Sequence, residues 1–311
     1  MIFLVYKARS GSTLLSSMLN SIDKVGVTIE DSIPGGLGLI DTNYKNKNEI
    51  FDVLTNDEKF NEWKIEKNEL KRIIFERDDI LSEILCTYFK NKDESLEKFI
   101  YKSPDYIHYP KKILEKHKYA KIIHIYRDPR AVYSSQKNTK ISSKNTHFSK
   151  NPFTFSFVWK RGINKGITFD KDTRFLNVKY ENLINSPTQT LEKISSFIGV
   201  DYKIKSNNEN DYYTDIPKNQ KYLHKNIKNK PLKSRIDAWK ESISDNEIWI
   251  IQLLLKYEME ELGYVSKTFK PTFKFYLSFI KYFVSHCMST IINIIRNLLK
   301  PRILMNKLKY R

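Results

Sequence analysis

The feature that most constrains this chain lies at its start. The apolar run Ile2-Phe3-Leu4-Val5-Tyr6 gives way to Lys7-Ala8-Arg9-Ser10-Gly11-Ser12-Thr13, and helix-forming Leu14-Leu15-Ser16-Ser17-Met18-Leu19 follows at once. A short, wholly apolar run reads as a strand buried on both faces, and such strands belong to parallel sheets whose crossovers are helices. The loop between strand and helix has the makings of an anion cradle. Gly11 lets the backbone approach a ligand, successive amides point at it, the helix N-terminus favours negative charge, and Arg9 adds a cation. It is not the nucleoside-triphosphatase form, because the G-x-x-x-x-G-K-[ST] spacing is absent and no lysine follows the glycine. Taken alone, the loop is also compatible with a plain strand-to-helix turn whose Ser and Thr only cap the helix.

Three further runs, Lys98 to Lys102, Lys121 to Tyr126 and Phe175 to Tyr180, fit the same buried-strand description. Strands alternating with helical segments predict an α/β fold, a central parallel sheet flanked by helices, with ligands outside the carboxyl ends of the strands. Residues 43 to 97 are densely charged and read as helices and loops, a candidate lid or ligand-binding insertion. Lys203 to Lys230, rich in Asn, Lys and Asp and containing Tyr212 and Tyr213, reads as a long loop. Ser244 with Glu247 forms a capping box, and the helix it starts is expected to run to a stop at Gly263. The main domain is therefore expected over 1–264, with a basic amphipathic tail over 265–311.

A second anion site closes another strand. Ile122-Ile123-His124-Ile125-Tyr126 leads into Arg127-Asp128-Pro129-Arg130-Ala131-Val132-Tyr133-Ser134-Ser135, placing Arg127 at the strand end and Ser135 in the next helix. The two segments together resemble the sulfotransferases that use 3′-phosphoadenosine 5′-phosphosulfate (PAPS). That family's 5′-phosphosulfate loop has the form [KR]-S-G-[ST]-[ST], and its 3′-phosphate site has the form R-[DN]-P-x-x-x-x-x-S. The likeness continues through Lys179-Tyr180-Glu181-Asn182-Leu183, Phe197-Ile198-Gly199, Ser234-Arg235-Ile236-Asp237-Ala238-Trp239-Lys240 and Leu262-Gly263-Tyr264. It implies a sulfotransferase fold and transfer of a sulfuryl group from PAPS to a hydroxyl or amine.

By the resemblance, Arg9 holds the phosphosulfate oxygens and Ser10, Gly11, Ser12 and Thr13 complete the cradle. Arg127 and Ser135 take the 3′-phosphate, Tyr180 contacts adenine, and Ser234 and Arg235 reach the 3′-phosphate from a late loop. A bland reading of Arg127 is an ion pair with Asp128, and Trp239 is also open to a core role. Sulfuryl transfer asks for positioning, charge neutralisation and a base. Glu30 falls where branches of the family place a catalytic Glu, although a solvated acidic loop with Asp31 is an equal reading. Lys102 would stabilise the transferring group or be a surface lysine at a strand end. The K-T-H of the cytosolic small-molecule branch is replaced by Lys102-Ser103-Pro104, with His108 only a distant substitute. That departure, with R-D-P-R-A-V, favours the branches acting on carbohydrate or protein. No metal is implied, and no His, Cys or Asp cluster has ligand spacing.

Composition bears on partners. Fifty-four Lys and Arg against 36 Asp and Glu give a net charge of +18, and residues 262 to 311 hold ten Lys or Arg and no acid. Such a balance calls for anionic partners, although a biased base composition would produce part of it. Two distant cysteines, Cys86 and Cys287, suggest neither disulfide nor zinc site, and the apolar start reads as a core strand rather than a leader; a cytoplasmic protein is expected. Between Phe273 and Leu299, Lys274, Lys281, His286 and Arg296 interrupt the apolar run, so an amphipathic helix on an anionic membrane surface is expected, peripheral at the inner face. The expected acceptor is a carbohydrate or glycolipid, such as a lipid-linked or growing polysaccharide. A kinase-like enzyme lacks its lysine here, and a nucleic-acid partner is not expected, because the most basic region is also aliphatic and aromatic.

Overall fold

A computed structural model describes residues 1–29, 46–141, 146–205, 212 and 233–299. Strands β1 (Ile2–Tyr6), β2 (Val25–Val27), β3 (Lys98–Lys102), β4 (Lys121–Tyr126) and, after a small antiparallel ribbon of β5 (Lys140–Ile141) and β6 (Thr146–His147), β7 (Phe175–Lys179) are the strands described. All but the ribbon pair in parallel in one five-stranded sheet of order β2-β3-β1-β4-β7. The four apolar runs expected to be strands are strands, and β2 is an addition too short to carry a pattern of its own. Every residue of β1 is buried, as its central position requires.

The chain leaves β1 toward β2 and β3 on one side and later builds β4 and β7 on the other. The reversal falls at β1, so the crevice outside its carboxyl end is where a ligand would sit in a sheet of this kind. Side chains of β1 alternate between the faces. Ile2, Leu4 and Tyr6 pack with Leu15 and Leu19 of α1 (Ser12–Asn20), while Phe3 and Val5 face the opposite layer.

That opposite layer is built by α2 (Lys47–Thr55), α3 (Glu58–Asn61), α4 (Lys67–Glu76), α5 (Ile80–Lys92) and α6 (Pro110–Lys116). Leu70, Ile73, Ile74, Leu81, Ile84 and Leu85 are buried there against Phe3 and Tyr101. The segment read as a candidate lid is thus, where described, a structural layer. Its charges occupy the outer helix faces, and the apolar stripe is what the sheet needs.

A third core unites α7 (Pro129–Asn138) and α8 (Pro152–Thr168) with the later helices through Val132, Tyr133, Trp159, Ile163, Trp239 and Ile251. Helices α9 (Tyr180–Asn185) and α10 (Pro187–Ile198) cover the α1 side. The Ser244–Glu247 capping box is present. The helix it begins is not continuous: it ends at Leu254, and Lys256–Glu261 resumes after Leu255 at φ −117° and ψ 18°. Leu255 and Met259 both still face the third core. Gly263, at φ 67°, makes the expected stop, with Tyr264 N donating to Met259 O at 2.8 Å and Gly263 N to Glu260 O at 3.0 Å. Of the long loop after Lys203, most lies outside the described residues. Ile204 bridges to Ile22, and Tyr212 is buried against the β1 face. The last helix spans Phe273–Leu299.

Candidate functional site

The loop after β1 is shaped by two left-handed residues, Arg9 at φ 75° and Gly11 at φ 92°. Such a conformation is costly for a residue with a Cβ, and its presence at Arg9 shows a loop held by its surroundings. Ser10 N bonds Lys7 O at 3.1 Å, closing the turn, and Gln136 Nε2 donates to Ala8 O at 3.0 Å from α7. Gly11 is the N-cap of α1 and no side chain caps that helix. Its first amides are therefore open to an external acceptor. A Cβ on Gly11 would run into the ring of Tyr180, so glycine is needed both for its dihedral and for the close approach.

Tyr180 begins α9 and is buried. The guanidinium of Arg127, at the end of β4, lies 4.3 Å above its ring centroid. Arg127 Nη2 donates to the carbonyl of Arg235 at 2.6 Å, while Arg127 Nε is buried with no hydrogen-bond partner among the described residues. The ion pair with Asp128 goes to a different arginine. Arg130 Nε and Nη2 bond Asp128 Oδ1 and Oδ2 at 3.0 and 2.6 Å, and Arg130 stacks on Trp239 at 4.1 Å while Nη1 reaches Gln252 Oε1 at 2.9 Å. Arg130 is therefore a buried strut and Trp239 its platform, while Arg127 has no carboxylate partner among the described residues. Ser234 and Arg235 begin the short helix Ser234–Asp237. Both side chains are exposed, and Arg235 meets Arg127 through its main chain.

The two half-sites meet. Arg9 Nε donates to Ser135 Oγ at 3.0 Å, joining the first loop to α7. Lys102 closes the third side from β3. It is 2% exposed, and its ammonium donates to Thr13 Oγ1 at 3.3 Å and Tyr212 Oη at 3.2 Å. No carboxylate among the described residues pairs with it; its partners there are the two hydroxyls. The surface-lysine reading is set aside by that burial. Glu30 lies outside the described residues. The chain reaches it two residues after Thr28, whose Oγ1 accepts the amide of Lys102 at 3.0 Å.

Sequence reasoning underrated a neighbour. Lys7 Nζ and His108 Nε2 are 3.2 Å apart, bringing His108 against the first loop. Burial first, then the positive charges of Lys7, Arg161 and Lys165, hold the His108 imidazole down to about 4. It is neutral near pH 7 and able to accept from Lys7. The signal lay only in the five residues separating Lys102 from His108, which a short 3-10 turn, Asp105–His108, folds back toward β1. Tyr212 was also invisible as a site residue, because it sits in a polar stretch without periodicity.

The arrangement gathers Arg9, Lys102 and Arg127 around a set of helix amides, a pattern chemically suited to two separated anionic groups. Comparisons with known proteins identify the family and the fold. A family model described as the sulfotransferase family matches residues 2–203. Among solved structures, the sulfotransferase domain from the Synechococcus PCC 7002 olefin synthase superposes with a TM-score of 0.54 at 20% identity, over 85% of this chain and 94% of that one. A sulfotransferase domain from the curacin biosynthetic pathway gives 0.53 at 21%, over 86% and 98%. No curated protein matches in sequence.

Proposed function

Because this chain belongs to the sulfotransferase family, we propose that it transfers a sulfuryl group from PAPS to a hydroxyl or amine of a carbohydrate or glycolipid at the cytoplasmic face of a membrane. The observation that carries the donor assignment is the contact of Arg9 with Ser135, which makes one crevice of two anion sites that lie 126 residues apart. One site suits a 5′-phosphosulfate and the other a 3′-phosphate, and PAPS is distinguished from common adenine nucleotides by carrying both. The amides of Gly11, Ser12 and Thr13 would take the 5′-phosphate with Arg9, and Arg127 and Ser135 the 3′-phosphate. Tyr180, packed between Gly11 and Arg127, would contact the adenine at the edge of the site.

In the reaction an acceptor oxygen or nitrogen attacks sulfur, the bond from sulfur to the 5′-phosphate oxygen breaks, and 3′-phosphoadenosine 5′-phosphate leaves. The acceptor proton passes to Glu30. Lys102, beside Thr13, would neutralise charge growing on the bridging oxygen. The carbohydrate class rests on the Lys102-Ser103-Pro104 and R-D-P-R-A-V motifs. Titration calorimetry with 3′-phosphoadenosine 5′-phosphate against adenosine 5′-monophosphate tests the donor assignment. Binding that needs the 3′-phosphate is the expected result, and equal or absent binding of the two nucleotides would overturn it.

A further inference from the structure

The helix Phe273–Leu299 is joined to the domain along one narrow face. Asn151 Nδ2 donates to Tyr282 O at 2.9 Å, Thr154 Oγ1 and His286 Nδ1 are 2.9 Å apart, and Asn246 Nδ2 donates to Ser278 Oγ at 2.7 Å. Rings complete the seam: Phe153 packs on Phe279 at 4.9 Å and Trp249 on Phe275 at 5.5 Å. Tyr282 Oη also donates to buried Glu247 Oε1 at 3.3 Å, the carboxylate that takes Tyr133 Oη of α7 at 2.8 Å. The helix is thus fixed to the body of the domain rather than tethered to it.

The opposite face is apolar and uncovered. Leu277, Ile280, Val284, Ile291, Ile295 and Leu298 recur at helical spacing and are between 48% and 67% exposed. A stripe of that kind along a helix of 27 residues, about 40 Å long by the rise per residue, is far beyond the scattered apolar exposure of ordinary surfaces. Lys274 and Lys281 flank it, and residues 262 to 311 contain ten basic residues and no acid.

We propose that this stripe lies flat on an anionic lipid bilayer, with the docked helix acting as a rigid foot that sets the orientation of the domain above the membrane. Charge selects this occupant: anionic headgroups complement a segment without acids, whereas a second copy of the chain would oppose ten cations with ten more. Length and composition would also let Phe273–Arg296 cross a bilayer. The contacts at Ser278, Tyr282 and His286 speak against that, since spanning would strip the helix from the domain and draw Lys281 into hydrocarbon. An in-plane helix keeps every one of them.

The test uses the full chain and sedimentation with phosphatidylcholine vesicles, with and without phosphatidylglycerol, and is independent of any activity. Wild type should pellet with the anionic vesicles and be released by an alkaline carbonate wash. Ile280→Glu with Ile291→Glu should weaken partitioning at least about tenfold, with an unchanged circular dichroism melt because both positions are exposed. Lys274→Gln with Lys281→Gln should weaken it roughly thirtyfold on anionic vesicles, at about 1 kcal/mol per charge. No pelleting would overturn the proposal. So would carbonate-resistant insertion, or a dimer by light scattering that the Ile280→Glu and Ile291→Glu pair dissolves.

Discussion

The guanidinium of Arg9 reaches the hydroxyl of Ser135, Nε to Oγ at 3.0 Å, so a loop on β1 and a helix after β4 present their polar groups to the same space. Removing that hydroxyl should weaken the 3′-phosphate site without unfolding anything, because Ser135 is only half-buried. Ser135→Ala is expected to raise the Kd for 3′-phosphoadenosine 5′-phosphate about tenfold, the size of one good hydrogen bond to a charged group. Calorimetry should show the Kd for adenosine 5′-monophosphate unchanged.

Arg127 is held by its stack on Tyr180 and by the carbonyl of Arg235, with Nε left over. Arg127→Ala should cost roughly hundredfold in affinity for the 3′-phosphorylated nucleotide, and Arg127→Lys should recover little, since an ammonium can neither lie flat on the ring nor present a fork. Full recovery in the lysine variant would show that charge alone is what the site uses.

Lys102 separates stability from activity. Its buried ammonium has hydroxyl partners and no carboxylate among the described residues. Lys102→Met should leave the thermal midpoint of the ligand-free protein unchanged or higher, because a costly buried charge is gone. The single-turnover rate should nevertheless fall by about 10²–10³. A drop in both together would make Lys102 a structural residue.

Gly11 has no room for a methyl group against Tyr180 and sits at φ 92°. Gly11→Ala should destabilise by about 1 kcal/mol from the dihedral alone and more from the collision. In a denaturant series, Gly11→Ala combined with Tyr180→Ala should cost less than the two changes separately, and strict additivity would contradict the contact.

Stability should fall on acidification. Burial holds His124, bonded to Asn177 Oδ1 at 2.7 Å, down to about 4, as it does His108. Between about 4 and the ordinary value of 6.5, the unfolded chain binds protons that the folded chain does not. Stability therefore rises with pH across that window and is lost on descending through it. Glu247 acts in the same direction further down. Burial alone would raise its carboxyl, but the hydrogen bonds from Lys137, Ser244 and Tyr133 hold it below its ordinary 4.5, so its contribution is lost as pH falls through the lowered value. Urea midpoints that stay level from pH 6.5 to 4 would contradict the histidine contribution, and midpoints that stay level below pH 4 would contradict that of Glu247.

Several elements were legible before any coordinates. The strands at Ile2, Lys98, Lys121 and Phe175, the glycine of the first loop, the capping box at Ser244 and the stop at Gly263 are local matters. An apolar run, a dihedral or a reciprocal cap is decided within a few residues, and sequence carries it whole. The break at Leu255 and the short β2 were not legible, since neither has a pattern longer than its own few positions.

Partner choice was the other blind spot, and only tertiary structure could decide it. Asp128 stands next to Arg127 in sequence, yet pairs with Arg130, because α7 turns that guanidinium inward onto Trp239. Residues 47 to 92 carry abundant charge, yet form a core layer, because only one stripe of each helix meets the sheet. The tail helix is amphipathic on paper, yet which face is outward depends on where Asn151, Thr154, Asn246 and Trp249 lie, on elements distant in the chain. Sequence by itself determined the elements and the residue types at the strand ends, since those follow from local periodicity and backbone freedom. The parallel register of β3, β1 and β4 brought Lys102, Arg9 and Arg127 to one crevice, and distances across a sheet are set by non-local packing that no local pattern encodes.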